Sequence, residues 1–271
     1  MKHLSRTLWL LPSLVLLCGC GGGISASRPP ASTPSSPPAQ EQNISDNWQF
    51  STTSTAGMPP LTIAGSINQS GSSVTGAVHV DGWSCFDQRT TIHLTGTLTD
   101  GNVSLTSTSV DGQVLTFVGS ISKKSGFPDT LNGTYAINGG CANGEQGNVT
   151  GFSVGPITGN WGGNLTTAGG ATIHMSASLG QGGASSEGSF GLTGTIIFDD
   201  VCFKSGTITS GTGPSASFVM GTSVALEIKT DDGTISFLGK ADPDGLIRGN
   251  YTVSGGACEP AGTGYLSPWE Y

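Results

Sequence analysis

Along most of the chain, apolar and polar residues alternate in short runs broken by Gly, Asp and Asn. The run from Thr90 to Leu98 shows the pattern best. Ile92, Leu94, Gly96 and Leu98 fall on one face, and Thr91, His93, Thr95 and Thr97 on the other, the two-residue period of a half-buried strand. The same reading predicts strands over Trp48 to Ser54, Leu61 to Gln69, Val74 to Val80, Val103 to Val110, Val114 to Ser122, Leu131 to Ile137 and Val149 to Val154. Turn residues separate them: Ser70-Gly71, Asp81-Gly82, Asp100-Gly101-Asn102, Asp111-Gly112 and Gly139-Gly140, which supply the positive φ of tight hairpins. Outside the first twenty residues no segment carries a 3.6-residue apolar stripe.

The pattern occurs twice. Asn47-Trp48 recurs as Asn160-Trp161, and Cys85-Phe86 as Cys202-Phe203. Thr116-Phe117-Val118-Gly119 recurs as Ser236-Phe237-Leu238-Gly239, and Gly133-Thr134-Tyr135 as Gly249-Asn250-Tyr251. Gly139-Gly140-Cys141 returns as Gly255-Gly256-Ala257-Cys258. The five offsets, 113, 117, 120, 116 and 117 residues, run in one order, which implies two homologous domains, 47–156 and 157–268. The expected fold is all-β: two tandem antiparallel meanders of eight strands, each an up-and-down barrel or, alternatively, a flattened sandwich. A Trp on the first strand followed by such a meander is similar to barrels of the avidin and lipocalin type.

The first twenty residues read differently. Lys2 and Arg6 precede an apolar run from Leu8 to Leu17, too short to span a bilayer and interrupted by Pro12. Leu17-Cys18-Gly19-Cys20 resembles the lipobox of bacterial lipoproteins, departing from it at Cys18. The resemblance implies a signal peptide over 1–19, acylation of Cys20 and a stable membrane anchor. Gly21 in place of Asp implies an outer-membrane destination. The body is similar to uncharacterised Gly/Ser/Thr-rich lipoproteins. Residues 20–46, with Pro29-Pro30 and Pro37-Pro38, read as a disordered tether of roughly 90 Å at full stretch.

Four cysteines remain in the body. Each copy places its two 56 residues apart, so the expected disulfides are Cys85–Cys141 and Cys202–Cys258, formed in an oxidising compartment. Loops 3–4 and 7–8 of a meander share one rim, which allows this pairing.

Charge narrows the partners. Without Lys2 and Arg6 the chain carries 8 basic and 18 acidic residues, net charge near −10, with no basic patch for nucleic acid. Catalytic groupings are thin. Gly151-Phe152-Ser153-Val154-Gly155 has the spacing of a nucleophile elbow but leads into Pro156 rather than a helix. Asp199-Asp200, Asp231-Asp232 and Asp242-Pro243-Asp244 fall at predicted turns. His79 and His93 lie on neighbouring strands, and Trp83 sits beside Cys85 in a loop; these three are the candidate binding residues, while Trp48 and Trp161 are expected in the core. No metal site or cofactor is expected. The reading is a non-enzymatic, membrane-anchored protein that binds a small molecule, a glycan or an envelope partner. Its alternatives are a purely structural surface-interaction protein and a hydrolase of envelope polymers.

Overall fold

The computed structural model describes residues 43–268, apart from 83, 89, 201, 212–215, 243–244 and 256–260. Every regular element among the described residues is a strand. The first eight are β1 (Asp46–Ser54), β2 (Thr62–Ser70), β3 (Ser73–Asp81), β4 (Ile92–Thr99), β5 (Asn102–Ser107), β6 (Val114–Ser122), β7 (Thr130–Asn138) and β8 (Gln146–Val154). They form a closed antiparallel barrel in sequence order, shut by β8 pairing with β1 from Asn47↔Val154 to Ser54↔Gly147.

A second ring follows, built from β9 (Gly159–Thr167), β10 (Thr172–Ala184), β11 (Phe190–Asp199), β12 (Ser205–Ile208), β13 (Phe218–Met220), β14 (Ser223–Thr230), β15 (Gly233–Ala241), β16 (Ile247–Ser254) and β17 (Ala261–Pro268). It closes through β17 on β9. Its fourth wall position is shared: β12 and β13 both pair with β11 and with β14, so one broken strand stands where barrel 1 has the continuous β4. Both domains are therefore closed barrels and not flattened sandwiches.

The alternation explains the cores. In β4, Ile92, Leu94 and Leu98 are buried, while His93, Thr95, Thr97 and Thr99 are exposed. Inside barrel 1, Trp48 stacks on Phe50 at 5.6 Å and Phe50 on Phe117 at 6.0 Å between ring centroids. The Trp48 indole Nε1 donates to the Ile44 carbonyl at 2.9 Å, which removes the cost of burying it. Trp161 takes the matching inward place in barrel 2, and Phe198 packs on Phe203 at 5.7 Å. Each large apolar side chain so buried stabilises the fold by about 1.5–3 kcal/mol.

Two sequence devices shape the walls. Asp100-Gly101 turns β4 into β5 with φ of 49° and 78°, and Asp111-Gly112 repeats the geometry with 50° and 77°. Facing glycines on neighbouring strands, Gly119 with Gly133 and Gly239 with Gly249, let the backbones approach closely where the sheet coils. A Cβ on Gly133 would lie 2.2 Å from the Val118 carbonyl oxygen, and one on Gly249 would lie 2.1 Å from that of Leu238. The device sits at corresponding places in the two copies.

The two barrels belong to one compact unit. Asn47, Ser66 and Ala77 point outward from β1, β2 and β3 yet are buried, because loops of barrel 2 cover them. The Asn47 side chain donates to the Gly221 carbonyl at 2.9 Å and accepts from the Gly221 amide at 2.6 Å. Gln49 Oε1 accepts from the Thr222 amide at 3.1 Å. Gly221, at φ +54°, has no room for a side chain: a Cβ would lie 2.3 Å from Gln49 Oε1.

Candidate functional site

Register shows where barrel 2 departs from barrel 1. Trp48 faces Gly65 and Trp161 faces Ala177, so Ile67 corresponds to Leu179. Ile67 pairs with Gly76, nine residues on, while Leu179 pairs with Gly194, fifteen residues on. The β10–β11 hairpin therefore carries six extra residues, with a register shift between Gln181 and Ala184. Continuing the same correspondence, Leu94 matches Ile208. Leu94 pairs with Ser107, thirteen residues on, and Ile208 with Ile228, twenty residues on. Seven extra residues thus separate β12 from β14, and they account for the broken strand. In a meander, connections 2–3 and 4–5 emerge at the same end.

The first extension and the β13–β14 turn meet the outer wall of barrel 1, and a cleft of about 380 Å³ lies at this seam. Ser185, Ser186, Glu187 and Ser189 come from the first extension, Ser210 and Ala216 from the second. Phe218 and Met220 of β13 form the apolar part, and His79 of β3 is the contribution of barrel 1. The described lining residues include no Lys or Arg.

The cleft is braced by its own hydrogen bonds. Ser185 and Ser189 share a hydroxyl contact at 3.0 Å, and the Gly188 amide donates to the Ser185 carbonyl at 3.1 Å. Gly188 adopts φ +83° and packs on β3 so closely that a Cβ would stand 2.0 Å from the Ala77 carbonyl oxygen. His79 spans the seam: Nδ1 lies 2.9 Å from the Gln88 carbonyl of its own barrel, and Nε2 lies 3.1 Å from the Glu187 carbonyl of the other. A neutral ring donates to one of these carbonyls. The Thr91 hydroxyl, 3.3 Å from Nε2, donates to that nitrogen in the tautomer that carries its proton on Nδ1.

The other sequence-predicted residues disperse. His93 is exposed on β4, opposite Ala77 and one step diagonal from His79, on the same outer wall. The described residues contain no cluster of three or more metal-ligating side chains. Cys85 and Cys141 are bonded, with Cα atoms 5.9 Å apart, so loops 3–4 and 7–8 do share a rim. Cys202 is also disulfide-bonded. Cys20, Trp83 and Cys258 lie outside the described residues. Ser153 is buried in β8, where its hydroxyl accepts from the Asp129 amide at 3.0 Å, so the Gly-x-Ser-x-Gly spacing belongs to a strand. Asp200 accepts from the Cys202 amide at 2.7 Å in a turn, and Asp242 pairs with Arg248.

Burial perturbs two groups away from the cleft. Desolvation raises the Asp46 carboxyl above its ordinary range, opposed by the Asn47 amide and reinforced by the nearby Asp129 charge. Tyr135 is raised by burial and by its hydrogen bond to Glu145 Oε1 at 2.8 Å.

Two shallower grooves lie on the outer walls: about 300 Å³ beside Val118 in barrel 1 and about 400 Å³ beside Leu238 in barrel 2. Val118 and Leu238 occupy corresponding positions and are 56% and 67% exposed. Sequence reasoning named His79 and missed the other seam residues. Their trace is the drift of the repeat offset from 113 to 120, which marks extra residues in the second copy. No family model matches the chain, and no curated protein matches it in sequence.

Proposed function

We propose that this chain is a lipid-anchored extracytoplasmic binding protein of the non-catalytic kind, held to the outer membrane through Cys20. It meets its partner or ligand at the barrel surfaces and the seam, not in a barrel lumen. The observation that carries this reading is the packing of both interiors. Trp48, Phe50 and Phe117 fill the space in barrel 1 that a lumen-binding barrel leaves for its ligand. In barrel 2, Phe198, Phe203, Phe237 and Tyr251 are likewise buried. The carboxylate pairs serve turns, and the imidazole of His79 is engaged by backbone carbonyls. Leu17-Cys18-Gly19-Cys20 and the Pro-rich stretch after it support the anchor and the tether.

A second reading, a surface-interaction protein without a small ligand, draws support from the matched exposure of Val118 and Leu238. The anchor is tested by feeding an alkyne-bearing palmitate to cells that express the full chain. Label on the wild type, lost in Cys20→Ser together with sedimentation in the outer-membrane fraction, is the expected outcome. An unlabelled wild-type chain contradicts it.

A further inference from the structure

The seam between the barrels is built from two connections of barrel 2: the lengthened β10–β11 hairpin, which packs on β3, and the β13–β14 turn, which bonds to β1. Ser185, Ser186, Glu187 and Ser189 of the lengthened β10–β11 hairpin, with Ser210, Ala216, Phe218 and Met220, supply most of the described cleft wall, and barrel 1 supplies His79. Elsewhere the copies keep the same closed ring, the same inward Trp and the same facing glycines. The lengthened connections lie where the concave surface forms, while connections 3–4 and 6–7 are each four residues shorter in barrel 2.

We propose that this cleft binds a neutral sugar, one ring or a short oligosaccharide segment. This inference rests on the reading of the chain as a binding protein. The volume, about 380 Å³, falls within the range of small-molecule sites. The chemistry of the wall selects the class. Hydroxyls of Ser185, Ser189 and Ser210 both donate and accept, which matches a ligand whose own groups are hydroxyls. Phe218 and Met220 offer an apolar patch against which the C–H face of a pyranose can lie. Glu187 adds a carboxylate that accepts from sugar hydroxyls more strongly than a neutral oxygen. With one carboxylate and no Lys or Arg among the described lining residues, phosphates and other anions are disfavoured. Serine hydroxyls around the apolar patch disfavour an acyl chain, whose entry would strip them of water without replacing their hydrogen bonds.

The site is also pre-organised. Asn47 with Gly221, Gln49 with Thr222 and His79 with the Glu187 carbonyl tie its two sides before any ligand arrives. A ligand therefore does not have to bring the barrels together, which removes part of the ordering cost of binding.

The test is titration calorimetry on the purified, acylated full chain in detergent, with maltotriose, cellotriose and the trimer of N-acetylglucosamine as neutral probes. Glucuronic acid serves as the anionic arm and glucosamine as the cationic one. At least one neutral probe binds and glucuronic acid does not. Glu187→Gln weakens the neutral probe about tenfold. Ser210→Phe, which places a ring in the cleft, removes binding. Val118→Ser, on the far wall of barrel 1, leaves binding unchanged. Thermal melts of each variant confirm folding. If Ser210→Phe fails to fold, Ser186→Phe, at an exposed loop position, replaces it.

Binding of none of the neutral probes, preference for glucosamine over all of them, or neutral binding unchanged in both Glu187→Gln and the ring-inserting variant overturns the inference. A chain that is acylated at Cys20 yet fails these titrations defeats the sugar site and leaves the anchored reading in place. A chain that binds the sugar but carries no acyl label does the reverse.

Discussion

The two barrels are the same scaffold put to different use. Barrel 1 turns from β2 to β3 within nine residues of the Ile67–Gly76 pair and keeps β4 continuous. Barrel 2 takes fifteen residues over the corresponding hairpin and breaks its fourth strand. Both still close, and both bury an inward Trp. Closure thus depends on the alternating walls and the glycine approaches, while hairpin length at the rim is free to vary, as the small entropic cost of lengthening a loop allows. The extra length in the β10–β11 hairpin is spent on covering β2 and β3 of barrel 1.

The comparison can be broken most severely at the inward tryptophans. Trp48→Ala should cost about 3–5 kcal/mol, since it removes the stack on Phe50 and leaves a cavity. Trp161→Ala should cost a comparable amount, so similar losses in urea midpoint would confirm equivalent core roles. A loss confined to one barrel would show that the copies have unequal cores.

Next in size is the staple. Cys85→Ser with Cys141→Ser opens a loop of 56 residues and should cost roughly 4 kcal/mol in the chain-entropy model. Guanidinium unfolding under oxidising conditions measures it.

The seam comes third. Asn47→Ala deletes two hydrogen bonds to Gly221 in a fully buried setting and leaves the Gly221 amide and carbonyl facing a methyl group, at about 1–3 kcal/mol. Limited proteolysis should then nick the hairpin around Ser186 faster than in the wild type. An unchanged cleavage rate would mean the seam does not depend on this contact.

The smallest effect is a pH slope. Burial raises the folded-state value of Asp46, so the folded chain holds its proton more tightly than the unfolded chain. Stability contributed by that proton is present below the ordinary carboxylate value, about 3.8, and is lost as pH rises through the raised one. Asp46→Asn, neutral at every pH, should flatten this part of the stability–pH curve and raise the neutral-pH midpoint slightly.

Most of the scaffold was legible in the sequence because local physics decides it. The alternation at Ile92, Leu94 and Leu98 and the Asp-Gly pairs at 100–101 and 111–112 place strands and turns with no knowledge of their partners. The strand expected over Val103 to Val110 ends instead at Ser107, because Val110 leaves the ladder to form a separate bridge with Gln113 around the Asp111-Gly112 turn. The Cys85–Cys141 pairing was legible because the duplication repeats its spacing. Barrel closure was expected from the eight-strand meander, but with a sandwich as its alternative, since the pairing of β1 with β8 joins residues about a hundred positions apart and leaves no local mark. The cleft was hidden for a similar reason. Ser185 to Ser189 has the composition of any exposed turn, and only contact with β3 of the other copy gives it a shape.

The central claim is that two filled barrels are joined into one body by the β10–β11 hairpin and the β13–β14 turn of the second. Scanning calorimetry of the full chain beside a chain truncated after Val154 tests it most directly. One cooperative transition in the full chain, at a temperature above that of isolated barrel 1, is the predicted result. Two separate transitions in the full chain, one of them coinciding with that of isolated barrel 1, would contradict it.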